Sequence, residues 1–202
     1  MTKPLAGLLT SLMLLASAGS LAQYDVNSSD HDALRDFLQQ HISDDKHSFA
    51  DRFDAEVWLL SQSTKLERYI KNPTERLSLL KAIHFEASQA NLNPDVVLAV
   101  IQVESAFDQY AVSRVGAQGL MQVMPFWKKE LGRGEDNLTH ALTNLRYGCR
   151  ILQHYLQREK GNLMMALARY NGSYPKTWYS ERVMDAWKDR WDSGQQSVVS
   201  NP

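Results

Sequence analysis

The sequence predicts a mainly α-helical protein that carries an N-terminal helical extension. Apolar residues recur three and four positions apart in several long segments, which is the spacing of amphipathic helices. No segment alternates apolar and polar residues for long enough to indicate a strand. Asn–Pro pairs at residues 72–73 and 93–94 mark places where one helix ends and another begins.

The composition fits a soluble domain and argues against several classes of partner. A chain of 202 residues can hold one domain with a proper core, or one domain plus an extension. The net charge is −1 and no basic run is interleaved with aromatic residues, so we expect no nucleic-acid partner. Cys149 is the only cysteine and falls on an apolar helix face, which favours a buried, unreactive thiol. With dispersed histidines as well, we expect no disulfide, no metal site and no other cofactor.

Residues 1–22 have the pattern of a cleavable secretory signal peptide. Lys3 gives a short positive region, residues 5–18 are mostly apolar, and small residues precede a cleavage point after Ala22. The apolar run is short for a membrane span, which needs about 20 residues. We therefore expect an exported protein without a transmembrane anchor after cleavage; the alternative is an uncleaved anchor.

The rest of the chain divides into an extension, a main domain and a tail. The extension covers residues 23–75, and its role is left open. A polar tail over residues 193–202 is expected to be disordered. Thr74 and Asn162 are candidate helix caps. The helical segments are predicted over residues 29–41, 49–71, 74–90, 94–104, 138–157, 163–170 and 178–191.

The chain is organised around residues 104–125. The helix before this stretch begins with Asn93, Pro94 and Asp95, a good cap and first turn, and is apolar on every face except at Gln102. A helix that is apolar all round is usually buried. Glu104 at its end would be partly desolvated, which favours the protonated form that general-acid chemistry needs. From periodicity alone, a buried helix that ends in a solvated glutamate is an equally good interpretation.

These residues also resemble the signature of a known family. E-S-x-F from Glu104, then A-x-S, then G-A-x-G-L-M-Q-V-M-P up to Pro125, are similar to the motifs of family 1 lytic transglycosylases, the soluble lytic transglycosylase (SLT) domain. Further matching blocks are Asn144-Leu145, Gly148 and the A-x-A-x-Y-N stretch of residues 166–171. The resemblance implies a lysozyme-like α-helical domain over residues 76–192, with at most a small β element around residues 112–123. Together with the signal-like N-terminus, it implies that the protein works in the periplasm.

The resemblance also implies roles for single residues. Glu104 would be the catalytic residue, acting as acid and then as base. The motif positions imply that Ser113 orients Glu104 or the N-acetyl group of the substrate and that Gln122 and Met124 contact the sugars. They also imply that Tyr170 supports Glu104 or meets the N-acetyl group, and Asn171 completes the implied substrate-binding set. Packing is the alternative role for Met124 and Tyr170.

The expected substrate is the glycan strand of peptidoglycan, cleaved between N-acetylmuramic acid and N-acetylglucosamine with 1,6-anhydromuramoyl ends. A hydrolytic muramidase and a catalytically idle peptidoglycan-binding scaffold are the alternatives. A cell-envelope protein partner is left open, as is the oligomeric state. Asp108 is expected to be a turn residue rather than a second catalytic carboxylate. Lys176, Trp178 and Tyr179 are candidates for a sugar groove, with surface packing as the alternative.

One departure from the family pattern lies behind Tyr170. The family commonly continues Y-N-A-G, whereas here Gly172 follows Asn171 directly and Ser173 comes next. The shifted glycine predicts a different turn at this point and leaves the details of the sugar subsites open.

Overall fold

The computed structural model describes residues 52–194, and this part of the chain is predominantly helical. The α-helices are α1 (Arg52–Leu66), α2 (Pro73–Gln89), α3 (Pro94–Ser105), α4 (Trp127–Leu131), α5 (Ala141–Arg158), α6 (Leu163–Asn171) and α7 (Trp178–Ala186). A π-helical turn, Trp187–Trp191, continues α7. The predicted mainly α fold class is confirmed.

Several predicted boundaries need correction. The helix predicted over residues 49–71 ends at Leu66, and the one predicted from residue 138 begins at Ala141. Thr74 is not the cap of α2. Asn72 takes that place, because its extended backbone precedes Pro73 and its side chain accepts hydrogen bonds from the first backbone N–H groups of the helix. The signal peptide of residues 1–22, the helix at 29–41 and residues 195–202 of the tail lie outside the described residues.

Two other predicted caps are confirmed. Asn93 Oδ1 accepts a hydrogen bond from the backbone N–H of Asp95 at 2.7 Å, which begins α3. Asn162 Oδ1 accepts one from the N–H of Met165 at 3.2 Å, which begins α6. These short polar side chains fix where α3 and α6 begin.

Helix α3 is the centre of the core, as its all-round apolar sequence predicts. It packs against α2, α7 and the π-helical turn, and all its residues from Val96 to Ile101 are buried. The same core includes Trp58 and Leu66 of α1 and Trp191 of the π-helical turn. The described end of the N-terminal extension therefore shares one core with the rest of the molecule.

A buried carboxylate joins both ends of the described chain to the start of α3. Asp95 is 2% exposed, and Oδ1 accepts hydrogen bonds from Trp58 Nε1 at 2.8 Å and Gln62 Nε2 at 2.9 Å. Its Oδ2 accepts from the backbone N of Ser193 at 2.9 Å and from its Oγ at 2.6 Å. Ser193, expected in the disordered tail, is thus ordered by a core contact.

The β content of the described residues is limited to isolated bridges. Gln118 pairs with Val112 and with Val123, both in antiparallel orientation, and these pairs shape the loop after α3. Within residues 52–194, no helix is both long and apolar enough to cross a bilayer. Cys149 is buried in the core, and this burial raises the pKa of its thiol, which suits the predicted unreactive role.

Candidate active site

Glu104 lies in the last turn of α3, where the helix stops abruptly. Ala106 follows with a left-handed backbone, φ 50°, and Phe107 also has a positive φ of 68°. These two residues turn the chain away from the helix axis while Phe107 inserts into the core. As a result, the carboxyl group of Glu104 is half-buried at the point where the helix meets a cleft.

The surroundings of Glu104 favour a protonated acid near neutral pH. Burial raises its pKa from an ordinary value of 4.5 to about 7. A hydrogen bond from Tyr179 and the charge of Arg182 oppose this rise by stabilising the carboxylate. The direction is the one expected from the position of Glu104 at the end of a buried helix. Both protonation states of this group are therefore accessible close to pH 7.

Tyr179 holds the carboxyl group of Glu104 in place from the protein interior. Its hydroxyl donates a hydrogen bond to Glu104 Oε1 at 2.7 Å, and the side chain is 2% exposed. Burial raises the pKa of Tyr179 well above its usual value, so the phenol stays protonated as a donor. Tyr179 is not among the residues that line the described cleft, so of the two roles considered from the sequence its burial favours packing. The signal that was missed is its place on the apolar face of a helix with Val183, where a buried tyrosine needs a partner for its hydroxyl.

A cleft of about 240 Å³ opens beside Glu104 and brings the predicted site residues together. All six, from Glu104 to Asn171, lie on its wall although they come from three separate parts of the sequence. The lining residues are Glu104, Ser113, Val115, Ala117, Gln122, Val123, Met124, Trp127, Ile151, Tyr170 and Asn171.

Two of the predicted sugar-binding side chains also brace the cleft loop. Ser113 Oγ accepts a hydrogen bond from the backbone N–H of Ala117 at 2.9 Å, whereas a direct bond from Ser113 to Glu104 is not formed within the described residues. Gln122 Nε2 donates to the carbonyl oxygens of Ala111 at 3.2 Å and Gly119 at 3.0 Å. These bonds hold both side chains in place on the wall of the cleft.

Tyr170 supports the same loop from α6. Its hydroxyl donates to the carbonyl oxygen of Met121 at 2.7 Å and makes no hydrogen bond to Glu104. Burial raises the pKa of Tyr170 as well, with the nearby Glu104 adding to the rise. Tyr170 thus packs against the loop and also lines the cleft, while its contact with a sugar stays a prediction.

Asn144 and Gly148, which belong to a second block of the family motif, contact the loop that follows Glu104. Asn144 Nδ2 donates to the carbonyl oxygens of Gln118 at 2.8 Å and Leu138 at 2.7 Å, and its Oδ1 accepts from the N–H of Met121 at 2.7 Å. A Cβ atom on Gly148 would lie 2.3 Å from Met121 Sδ. The loop after Glu104 is therefore clamped to α5 by one buried amide and one close helix contact.

The cleft has one carboxylate among its described lining residues, Glu104. Asp108, four positions later, is exposed and accepts a hydrogen bond from the N–H of Tyr110 at 2.9 Å, as expected of a turn residue. Among residues 52–194 no group of three or more His, Cys, Asp or Glu side chains is placed to hold a metal ion. Among the described lining residues, Glu104 is the side chain whose raised pKa suits it to donate or accept a proton near pH 7.

Comparison with known protein families shows to which family the chain belongs. The transglycosylase SLT domain family matches residues 81–186, which is more than half of the chain. The chain belongs to this family. The residues that line the cleft, and Tyr179 beneath it, all fall within the SLT domain.

Three relatives illustrate the extent of the similarity. The chain is 38% identical over 86 residues to a transglycosylase of Enterobacteria phage PRD1, covering 43% of this chain and 31% of that protein. It is 49% identical over 39 residues to membrane-bound lytic murein transglycosylase C of Actinobacillus pleuropneumoniae, covering 19% and 11%.

A solved structure of an inactive mutant of lytic transglycosylase Slt from Pseudomonas aeruginosa matches with a TM-score of 0.44 and 21% identity, covering 80% of this chain and 31% of that one. The chain spans less than a third of the length of each of these proteins.

Proposed function

We propose that this protein is a peptidoglycan lytic transglycosylase in which Glu104 acts as general acid and then as general base. The observation that carries the proposal is a half-buried carboxyl group with a pKa raised to about 7, the single acid on the described wall of the cleft. An acid tuned to neutral pH can give up a proton and take one back in the same cycle. The membership of the SLT domain family supplies the substrate class.

In the first step, protonated Glu104 donates its proton to the oxygen of the β-1,4 bond between N-acetylmuramic acid and N-acetylglucosamine. The bond from C1 to this oxygen breaks and its electron pair stays on the departing sugar. The muramoyl N-acetyl group stabilises the positive charge that develops at C1. Tyr179 keeps Glu104 Oε1 occupied by a hydrogen bond, which leaves the other carboxyl oxygen for the substrate.

In the second step, the C6 hydroxyl of the muramoyl sugar attacks C1, and ionised Glu104 accepts its proton. The product is a 1,6-anhydromuramoyl end, and the carboxyl group returns to its starting state. The hydroxyl belongs to the same sugar, so its effective concentration exceeds that of a diffusing water molecule.

The arrangement of carboxylates supports this reaction over two-carboxylate hydrolysis. Enzymes that hydrolyse glycosides usually place two carboxyl groups about 5–9.5 Å apart across the scissile bond. In the described cleft Glu104 has no such partner, and Asp108 is committed to a turn outside it. A mechanism that needs one acid and an internal nucleophile suits this site.

We further propose that Ser113, Gln122, Met124, Tyr170 and Asn171 contact the sugars, since all five line the cleft. The signal-like sequence of residues 1–22 supports export to the periplasm, where glycan strands are accessible.

The test is mass spectrometry of the soluble products released from purified sacculi. We expect wild type to release anhydromuropeptides, Glu104→Gln to release none, and Asp108→Asn to match wild type. Asp108→Asn is the matched control, because it neutralises an exposed carboxylate four residues from Glu104. Products heavier by one water would make the protein a muramidase, and full activity of Glu104→Gln would refute the role of this residue.

A further inference from the structure

Part of the cleft wall is apolar and is centred on an aromatic side chain. Val123, Met124, Trp127 and Ile151 line the cleft together with the polar groups around Glu104. Trp127 is half-buried, and Phe126 next to it is 55% exposed. The exposed ring thus continues the apolar wall from the cleft to the protein surface.

The two rings are held in a fixed arrangement. The centroids of Phe126 and Trp127 are 5.2 Å apart, with 32° between the ring planes. Trp127 meets Tyr155 of α5 edge to face at 6.3 Å, and its backbone N–H donates to the carbonyl oxygen of Met124 at 3.1 Å. The rings of Phe126 and Trp127 therefore pack against each other and form one aromatic patch, which we call the aromatic platform.

The cleft is small compared with the length of a glycan strand, so a strand bound in it would extend over the adjoining surface. Pockets that enclose a small molecule usually measure about 300–1,000 Å³, whereas this cleft measures about 240 Å³. A pyranose ring has an apolar face of C–H groups and polar hydroxyl edges, so it matches a flat aromatic surface bordered by hydrogen-bonding groups. Trp127 lines the cleft and the adjoining Phe126 is exposed, so the aromatic platform lies at the boundary between the cleft and the protein surface.

Two other exposed aromatic side chains, Trp178 and Tyr174, are less suited to this role. Trp178 is 49% exposed, but it is outside the cleft and packs edge to face against buried Tyr179 at 6.1 Å. The ring of Tyr174 is covered by the guanidinium group of Arg169 at 3.7 Å. The sequence had suggested Trp178 as a groove residue, and the described cleft places Trp127 there instead.

We propose that the aromatic platform of Trp127 and Phe126 is a stacking subsite for an N-acetylhexosamine ring of the glycan strand, next to the sugars that Glu104 contacts. This inference rests on the proposed function, because it assigns a second part of the same cleft to the same substrate. The subsite recognises the sugar ring and not the peptide stem, so it should bind a glycan that carries no peptide.

The test is equilibrium binding in the Glu104→Gln background, where the ligand stays intact. The probe is a soluble β-1,4-linked N-acetylglucosamine oligosaccharide without peptides. We expect Trp127→Ala to weaken binding by roughly tenfold or more, as for other aromatic anchors. Trp127→Phe should retain most of the affinity, because it keeps a ring face. Trp178→Ala is the matched control and should bind like its parent.

Two further readouts separate loss of stacking from loss of folding. The first is a comparison of each variant with its parent by circular dichroism and thermal unfolding. The second is the variant Phe126→Ala, which removes an exposed ring, leaves the packed ring of Trp127 in place and should also weaken binding. The fluorescence of Trp127 itself is obtained as the difference between the parent and Trp127→Phe. The oligosaccharide should protect this fluorescence from quenching by acrylamide. Unchanged affinity in folded Trp127→Ala, equal losses in Trp178→Ala, or an unprotected Trp127 would each overturn the proposal.

The outcome remains distinct from that of the proposed function. Wild type that releases anhydromuropeptides while folded Trp127→Ala binds normally would retain the enzyme and refute the platform. Glycan binding that depends on Trp127, with no product from wild type, would retain the platform and refute the enzyme.

Discussion

We expect Glu104 to destabilise the fold at neutral pH, so that Glu104→Gln makes the protein more stable. Burial raises the pKa of this group to about 7, which means that the folded protein holds the ionised carboxylate less favourably than the unfolded chain does. Glutamine has nearly the same shape and stays uncharged. It can also accept the hydrogen bond from Tyr179 that Glu104 Oε1 accepts at 2.7 Å.

The size and sign of the effect follow from the two pKa values of Glu104. Below the ordinary pKa of 4.5, the carboxyl group is protonated in the folded and the unfolded protein, and its ionisation has no effect on stability. As the pH rises from 4.5 to about 7, the unfolded chain releases the proton first and the folded state loses stability. The loss reaches about 3 kcal/mol above pH 7, at about 1.4 kcal/mol for each unit of pKa.

The assay is urea unfolding of wild type and Glu104→Gln at a series of pH values. The variant should match wild type at pH 4 and exceed it by about 3 kcal/mol at pH 8. Other groups that titrate are common to both proteins and cancel in the difference. Asp108→Asn is the control, because its carboxylate is exposed, and it should show no such gap. Equal stability of wild type and Glu104→Gln at pH 8, or a gap that persists at pH 4, would refute the reasoning.

Two more predictions concern the supports of Glu104 and of its helix. Tyr179→Phe removes a hydrogen bond that lowers the pKa of Glu104, so this pKa should rise further in the variant. In wild type we expect kcat/KM for product release to fall as the pH rises past about 7, and in Tyr179→Phe this fall should occur at higher pH. An unmoved profile would mean that Tyr179 does not act on the ionisation of Glu104. Asp95→Ala removes the acceptor of the bonds from Trp58 and Ser193, and should lower the free energy of unfolding by about 3 kcal/mol or more. Urea unfolding would check this, and a loss below about 1 kcal/mol would contradict it.

The parts of the fold that could be predicted depend on local signals. Asn93 followed by proline and aspartate marks the start of α3, and its all-round apolar sequence predicts that it is buried. The glycine-containing motif after Glu104 predicts the loop that lines the cleft. The family motifs placed six residues at one site, and the structure brings those six together in one cleft; their roles in binding stay predictions.

The parts that could not be predicted depend on contacts between distant residues. Tyr179 is 75 positions from Glu104, and helical spacing shows only that its face is apolar, not what its hydroxyl meets. Ser193 was assigned to a disordered tail because its neighbours are polar, yet it meets Asp95 across 98 positions. Thr74 was the predicted cap of α2, whereas the cap is Asn72, whose extended backbone precedes Pro73.

The position of Asp95 has a consequence for comparisons within the family. The segment that matches the SLT domain begins at residue 81 and ends at residue 186, whereas Trp58 and Ser193, two of the residues that hold Asp95, lie beyond its two ends. The unit recognised by shared ancestry is therefore smaller than the unit that shares a core. Family members whose flanking sequences look unrelated can therefore be compared by one structural question. The question is whether their flanking segments supply hydrogen-bond donors to the start of the helix that carries the acid.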